Sequence, residues 1–263
     1  MGLAPIPKNQ QEDAMSGHSK WSSIKHKKAA VDAKRGKIFT KLIREITVAA
    51  KQGGDDLEAN PRLRLAVNSA RAQNMPNDTI KRAITKGAGD ADGADYEEVI
   101  YEGYGPNNVA VVIETLTDNR NRTVASLRFA FQKYNGNMGA TNSVQYMFDR
   151  KGTLLVSKET IDEETLTDYI LEAGAEDLED QGDHFLVISS LESFEAVKTF
   201  LEQKDVALAS ADLQRLPQTR VVIDNREDAE KIITFLEVLE DDDDVQNVFS
   251  NFDIDEAVLM EMA

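Results

Sequence analysis

VIYEGYGPNNVAVVIETL, residues 99–116, places two runs of β-branched and aromatic residues on either side of Gly-Pro-Asn-Asn. Such runs, separated by turn residues, are typical of two strands joined by a tight turn. In residues 122–134, Val124, Leu127 and Phe131 recur at spacings of three and four, which predicts a helix that buries them. An α/β region therefore begins at this stretch of the chain.

The α/β pattern continues towards the C-terminus. Residues 143–148 predict a further strand, and from residue 152 the order is strand, helix, strand, strand, helix, strand, as in a ferredoxin-like α/β sandwich. These strands are predicted at residues 154–156, 176–178, 185–188 and 208–213, and the helices at 163–172 and 194–201. Residues 220–253 add a strand, a helix and a strand. Because three elements are too few to fold alone, we expect them to complete the sheet begun at residues 96–148.

The chain before residue 87 has a helical pattern instead. Residues 37–51 repeat apolar side chains at helical spacing, and two glycines in QGGDD end this helix. Asn60 and Pro61 are typical of an N-cap and a first helical residue, so they predict a second helix. Its predicted inner face is Leu63, Ala66, Val67 and Ala70. A third short helix is predicted to pack through Ile80, Ala83 and Ile84, with Lys81, Arg82 and Lys86 outside.

These patterns predict an α+β protein of three domains: an N-terminal three-helix domain and two α/β (ferredoxin-like) domains, one inserted in the other. The glycine- and aspartate-rich residues 87–95 are predicted to be a linker. We interpret residues 1–14 as an expression leader. The remaining predicted boundaries are 15–94 for the basic arm and helical domain, 95–150 plus 216–263 for a discontinuous α/β domain, and 151–215 for the inserted domain.

Charge is distributed very unevenly along the chain. The net charge is -17, yet residues 16–86 hold sixteen Lys and Arg against six Asp and Glu, while residues 87–263 hold thirteen against thirty-nine. This asymmetry indicates that the basic part binds a polyanion, which the acidic part repels. The alternative is that the basic segment docks on the acidic body of its own chain.

Several function classes are disfavoured by the sequence. There is no cysteine, which excludes disulfides, thiolate metal sites and a cysteine nucleophile. No nucleotide-binding or hydrolase motif is present, and His18 and His26 in a lysine-rich arm are poor metal ligands. No apolar run is long enough to span a membrane. We therefore expect a cytoplasmic protein that is not an enzyme and needs no metal or cofactor.

The basic residues of the arm and helices are the candidates for contact with nucleic acid, because lysine and arginine neutralise phosphates and an indole can stack on a base. Trp21 could equally fold back onto the helical domain as an anchor. The candidate nucleic-acid-binding residues are Lys20, Trp21, Lys25, His26, Lys27, Lys28, Lys34, Arg35, Lys37, Lys41, Arg44, Arg64, Arg71, Lys81 and Arg82.

A second candidate site is TDNRNRT, residues 117–123. Asp118 or Asn119 could cap the predicted helix, and Arg120 and Arg122 beside its N-terminus could hold a phosphate. The alternative is that the arginines pair with acidic neighbours such as Glu114. The acidic run EDDDD, residues 240–244, is expected to be a solvated surface segment.

The chain resembles the YebC/PmpR family of regulatory proteins, which includes a mitochondrial translational activator. The resemblance covers residues 15–253. It rests on GHSKWSSIKHKKAAVDAKRGKIFTKLIREI, NPRLRLAVNSARAQNMPNDTIKRAI, YEGYGPNNVAVVIETLTDNRNRT and YMFDRKG. It implies three domains, one helical and two α/β, and no cofactor. Where glycines are expected from the resemblance, the chain has Asn107 and Asn108 and the segment GATNSV at 139–144.

Family resemblance and charge lead to the same expected function, a non-enzymatic nucleic-acid-binding regulator of gene expression. The first form is a DNA-binding transcriptional regulator that works with the transcription machinery. The second is a ribosome-associated translation factor that binds ribosomal RNA. The third, from another class, is an acidic protein-protein scaffold. None of the predicted helices has the pattern of a recognition helix that reads bases, which favours weak sequence selectivity.

Overall fold

The computed structural model describes residues 31–89 and 96–262. Its first three helices, α1 (Val31–Gly53), α2 (Pro61–Ala72) and α3 (Asn77–Ala88), enclose one apolar core. The predicted cap of α2 is confirmed, because the Asn60 side chain accepts a hydrogen bond from the Leu63 N–H at 3.0 Å. Its amide nitrogen also donates to the Ala49 carbonyl at 2.8 Å, so the buried Asn60 fixes the α1–α2 connection. The predicted inner face of α2 is buried as expected.

The end of α3 differs from the prediction. Gly87, predicted to begin a linker, lies inside α3 and is buried. A Cβ at this position would lie 2.2 Å from the Thr47 carbonyl oxygen and 2.8 Å from the Ala50 Cβ, both on α1. Only glycine lets the two helices approach this closely, so its role is packing rather than a helix stop. Residues 90–95 of the predicted linker lie outside the described residues.

The first sheet has the strand order β3-β1-β2-β9. Strands β1 (Glu97–Tyr104) and β2 (Ala110–Thr117) pair antiparallel, as predicted, and β3 (Asn137–Met138) and β9 (Val245–Ser250) flank them. In the β1–β2 turn Asn107 and Asn108 take φ values of 57° and 58°. Asparagine tolerates this left-handed conformation better than most residues, which is why the turn needs no glycine there.

Helices α4 (Arg120–Lys133) and α7 (Arg226–Glu240) pack on one face of this sheet. Only β9 of the C-terminal elements joins the sheet. β8 (Val221–Ile223) pairs instead with β10 (Phe252–Ile254) in a separate parallel pair, and an unpredicted helix α8 (Glu256–Met262) follows. In α4, Leu127 and Phe131 are buried as predicted, but Val124 is only half-buried, and Thr123 is buried beside it.

Residues 143–148, predicted as a strand, form a loop with a 3-10 turn, and the strand begins only at Phe148. The cause is Glu102, which is buried on β1. Its carboxylate accepts hydrogen bonds from the N–H groups of Asn142, Val144 and Gln145 at 2.7 to 2.9 Å. Burial alone would raise the pKa of Glu102, but these bonds lower it below its ordinary value. The loop folds around an ionised side chain, which periodicity cannot reveal.

The second sheet has the order β5-β6-β4-β7. The strands of this sheet and the helices between them are β4 (Phe148–Ser157), α5 (Glu163–Ala173), β5 (Asp177–Asp180), β6 (His184–Ser189), α6 (Phe194–Gln203) and β7 (Leu208–Pro217). The predicted order of strands and helices is confirmed, and α5 and α6 share one core with the sheet. The α+β fold class is therefore confirmed: a helical region comes first and α/β regions follow. The residue boundaries of the domains stay a prediction.

Gly87→Ala tests the contact between α1 and α3. We expect the free energy of unfolding to fall by about 2 kcal/mol, because overpacking a rigid backbone contact outweighs the better helix propensity of alanine. Gly36→Ala is the matched control, since that exposed glycine of α1 has no atom within 4 Å of the added Cβ. The control should be neutral or slightly stabilising in urea unfolding. Equal stability of the two variants would contradict this account of Gly87.

Candidate nucleic-acid interface

The predicted interface residues fall into three groups. Lys20, Trp21, Lys25, His26, Lys27 and Lys28 lie outside the described residues, as does the predicted leader. Lys34 and Arg35 belong to α1, but their side chains lie outside the described part of the structure. The remaining residues can be placed, and they divide into cations that contact acidic groups of the chain and cations that face solvent.

The first of these sets lies on α1. Lys37, Lys41 and Arg44 are spaced by four and three residues, so they share one face of the helix; we call them the α1 stripe. This stripe contacts residues 240–244, which we call the acidic turn. Lys37 Nζ lies 3.0 Å from the Asp241 carbonyl oxygen and 3.5 Å from its carboxylate. The stripe therefore contacts the chain's own acidic body in this structure.

The α1 stripe binds backbone carbonyl groups at and after the end of α7 as well as acidic side chains. Lys41 Nζ donates to the Glu240 carbonyl, and Arg44 Nη1 donates to the Asp243 carbonyl and, at 2.9 Å, to Asp244 Oδ1. The last carbonyls of a helix lack intrahelical partners and carry its negative dipole end, so cations are favourable there. Burial lowers the pKa of Lys41, although the four neighbouring carboxylates act in the opposite direction.

Asp244 is the most constrained residue of the acidic turn. Its side chain is only 3% exposed. Besides Arg44, its carboxylate accepts hydrogen bonds from Arg122 at 2.7 Å, Thr123 at 2.8 Å and Thr117 at 3.3 Å. Burial alone would raise its pKa, but the bonds from Arg122 and Thr123 and the nearby guanidinium charges lower it below the ordinary value. The expectation of a solvated run is therefore wrong for this residue.

The TDNRNRT segment supplies most of the groups that bind the Asp244 carboxylate, which we call the Asp244 pocket. Of the two predicted caps for α4, Asn119 is the one observed. Its side-chain oxygen accepts a hydrogen bond from the Arg122 N–H at 3.1 Å. The Arg122 guanidinium binds Asp118 and Asp244, and its pKa is raised, first by the hydrogen bond to Asp244. Arg120 lies 3.5 Å from Glu97. A phosphate site at Arg120 and Arg122 stays a prediction.

Glu114 is not the partner of these arginines. Its carboxylate instead accepts from Arg215 at 2.9 Å and from Asn247 at 3.1 Å. Asp244 was missed because four consecutive aspartates look alike in the sequence. No pattern in the sequence distinguishes Asp244 from its neighbours, because its burial depends on contacts with Arg44 and Arg122, which are distant in the chain.

The second set of cations faces solvent. Lys81, Arg82 and Lys86 are exposed on one side of α3, at spacings of one, four and five residues; we call them the α3 face. Arg71 is exposed at the end of α2. Within residues 36–89 and 96–262, no carboxylate forms an ion pair with these four residues. Arg64 differs, because it lies 3.8 Å from Glu195 and donates to the Leu57 carbonyl.

Three further observations concern metal binding, membrane insertion and clefts. Among the described residues, no group of three or more His, Cys, Asp or Glu side chains could hold a metal ion, and no helix is long and apolar enough to cross a membrane. A cleft of about 1360 Å³ lies between the first two helices and the second sheet. Its lining mixes apolar residues such as Leu42 and Leu186 with charged ones such as Asp212 and Lys151.

The arrangement defines a protein with a basic helical region followed by acidic α/β regions, and comparisons with known proteins identify its family. Residues 19–90 match the TACO1/YebC protein N-terminal domain, and residues 96–252 match the TACO1/YebC second and third domain. The chain belongs to the TACO1/YebC family. This confirms the resemblance found in the sequence.

Its relatives are similar over almost their whole length. A protein of Desulforapulum autotrophicum is 54% identical over 93% of this chain and 98% of its own, and one of Geobacter sulfurreducens is 54% identical over 91% and 96%. Both are named probable transcriptional regulatory protein. The crystal structure of a conserved hypothetical protein from Aquifex aeolicus has a TM-score of 0.83 and 47% identity, covering 91% of this chain and 98% of that one.

Asp244→Asn tests whether the buried carboxylate organises the site. We expect the free energy of unfolding at pH 7 to fall by about 3 kcal/mol, because two guanidinium groups lose a buried counter-charge. Asp243→Asn is the matched control, since the Asp243 side chain is exposed and only its carbonyl binds Arg44. Urea unfolding of both variants measures the difference. A loss in Asp244→Asn no larger than in Asp243→Asn would contradict the assignment.

The same carboxylate predicts a pH dependence. A pKa that is lower in the folded state contributes stability above the unfolded value of about 3.9, and that contribution disappears as the pH falls through the folded value. Wild-type stability should therefore decrease below about pH 4, and Asp244→Asn should show a smaller decrease. Urea unfolding at a series of pH values measures both curves. Parallel curves for the two proteins would contradict the prediction.

Proposed function

We propose that this protein is a nucleic-acid-binding regulator of gene expression, and that its ligand is DNA. The observation that carries the proposal is the α3 face, which presents Lys81, Arg82 and Lys86 to solvent in a chain of net charge -17. Among the described residues these cations have no acidic partner, so they are available to neutralise phosphates, and in a strongly acidic protein such a surface is selective for a polyanion. The names of the relatives support a role in transcription.

The proposed contact surface has two parts. The first part is the arm, which contacts phosphates and bases through Lys20, Trp21, Lys25, His26, Lys27 and Lys28. The α3 face and Arg71 hold the phosphates on a folded surface, and the acidic α/β regions are repelled by the polyanion and so set its orientation. The protein acts in the cytoplasm, without catalysis or cofactor. Contacts to phosphates fix position rather than sequence, so we propose weak sequence selectivity.

Removing charge from the α3 face is the direct test of this surface. In Lys81→Gln/Lys86→Gln, the slope of log affinity for duplex DNA against log salt should become shallower by about 2, because each phosphate contact contributes about 0.9. Arg128→Gln/Lys133→Gln is the matched control, with the same charge change on the exposed face of α4. Its slope should stay within error of wild type. If the two double variants change affinity and slope equally, the α3 face is not the binding surface.

Two measurements distinguish DNA from ribosomal RNA as the ligand. Protection of promoter DNA over random duplex by more than about tenfold at physiological salt supports the transcriptional role. Co-sedimentation with ribosomes that is lost in Lys81→Gln/Lys86→Gln, without promoter selectivity, supports the translational alternative instead. Binding to neither nucleic acid would overturn the proposed function and leave the scaffold hypothesis.

A further inference from the structure

The α1 stripe and the acidic turn are joined by ion pairs and by hydrogen bonds from the cations to backbone carbonyls. The apolar core of the helical region consists of residues between Phe39 and Ile84, and it shares no member with the cores of the α/β regions. The described ion pairs that join the helical region to the rest are Lys37–Asp241, Arg44–Asp244, Arg62–Glu98 and Arg64–Glu195. Such contacts are weakened by salt and by competing ions.

The acidic turn presents to α1 the groups that a phosphate backbone would present. Carbonyl and carboxylate oxygens of Glu240, Asp241, Asp243 and Asp244 accept from three cations in a row along the helix. A nucleic-acid strand likewise offers a row of negatively charged acceptor oxygens to a lysine-rich helix. A polyanion and the acidic turn therefore cannot occupy the α1 stripe at the same time.

Opening this contact costs little free energy at the acidic turn. When Arg44 leaves, the Asp244 carboxylate keeps Arg122, Thr123 and Thr117 as donors, so no buried charge is left unpaired. Lys37 and Asp241 are 44% and 63% exposed, and ion pairs at such exposure contribute little to stability. Lys41 is desolvated in the closed contact and regains hydration when it opens.

We propose that the acidic turn is an internal competitor for nucleic acid: it occupies the α1 stripe in the free protein, and a bound polyanion displaces it. This inference rests on the proposed function. The α3 face, with Lys81 and Lys86, makes the first contact because it is already exposed. The α1 stripe then adds its phosphate contacts only after the acidic turn has been displaced. The contact lowers affinity for short or weakly charged ligands and so raises selectivity for long polyanions.

Asp241→Lys/Asp243→Lys tests the competitor by repelling the α1 stripe while leaving Asp244 in place. Glu164→Lys/Asp168→Lys, on the exposed side of α5, is the matched control, because it changes the net charge by the same amount at a distant site. The probes are a random-sequence duplex DNA and an RNA hairpin, titrated at several salt concentrations. Circular dichroism and urea unfolding establish that both variants fold.

If the closed contact is present in about nine molecules of ten, opening it should raise affinity about tenfold over the control variant. Three newly available cations should also steepen the salt slope by about 2 to 3. Adding Lys37→Gln and Lys41→Gln to Asp241→Lys/Asp243→Lys should remove both gains. The DNA and RNA arms separate the two sources of phosphate.

Affinity and slope equal to those of the control variant, with wild type binding normally, would overturn the competitor and leave the proposed function intact. A gain that persists after Lys37→Gln and Lys41→Gln would also overturn it, because the α1 stripe would then not be the surface released. Failure of every protein to bind either probe would overturn the proposed function, and the competitor with it.

Discussion

The Asp244 carboxylate is the constraint on which the arrangement of the site depends. A buried carboxylate must be paired, and this one is paired from two directions at once, by Arg44 of α1 and by Arg122 of α4. Thr117 and Thr123 complete its hydrogen bonds. One side chain thus fixes the end of α7 against the start of α4 and binds Arg44 of the helical region while the contact is closed.

The charge asymmetry of the chain therefore has two consequences rather than one. The sequence indicated a basic part that binds a polyanion and an acidic part that repels the polyanion. In the structure, the cations of α1 contact the acidic turn, whereas those of α3 remain exposed. The alternative of docking on the chain's own acidic body thus describes α1, while the α3 face keeps the properties expected of a phosphate-binding surface. Docking on the acidic body therefore holds for α1, and phosphate binding stays a proposal for α3.

Much of the fold follows from local rules in the sequence. Asn60 and Pro61 marked the start of α2, and the apolar spacing of residues 63–70 marked its buried face. The patterns after residue 152 predicted the order of strands and helices along the second α/β region. The failures share a physical cause. Gly87, Glu102 and Asp244 act through neighbours distant in the chain, namely Thr47, the loop at 142–145 and Arg44. Tertiary contacts of this kind leave no periodic signal.

The residue types of the candidate site could be predicted from the sequence, but the groups that these residues contact could not. Spacing placed Lys37, Lys41 and Arg44 together on one helix face, yet their partners are backbone carbonyls at the end of α7, which no side-chain pattern specifies. The TDNRNRT segment was recognised as a cap and a charged loop, and its role as part of the Asp244 pocket required the three-dimensional arrangement.

The most direct measurement is the distance between α1 and α7 in solution. The chain has no cysteine, so spin labels at Thr40→Cys and Val238→Cys can be placed on exposed positions without further changes. The account predicts one short distance in low salt, which lengthens when saturating duplex DNA or RNA is added. A distance that stays unchanged while nucleic acid binds would contradict the claim that the acidic turn and the polyanion compete for the same cations.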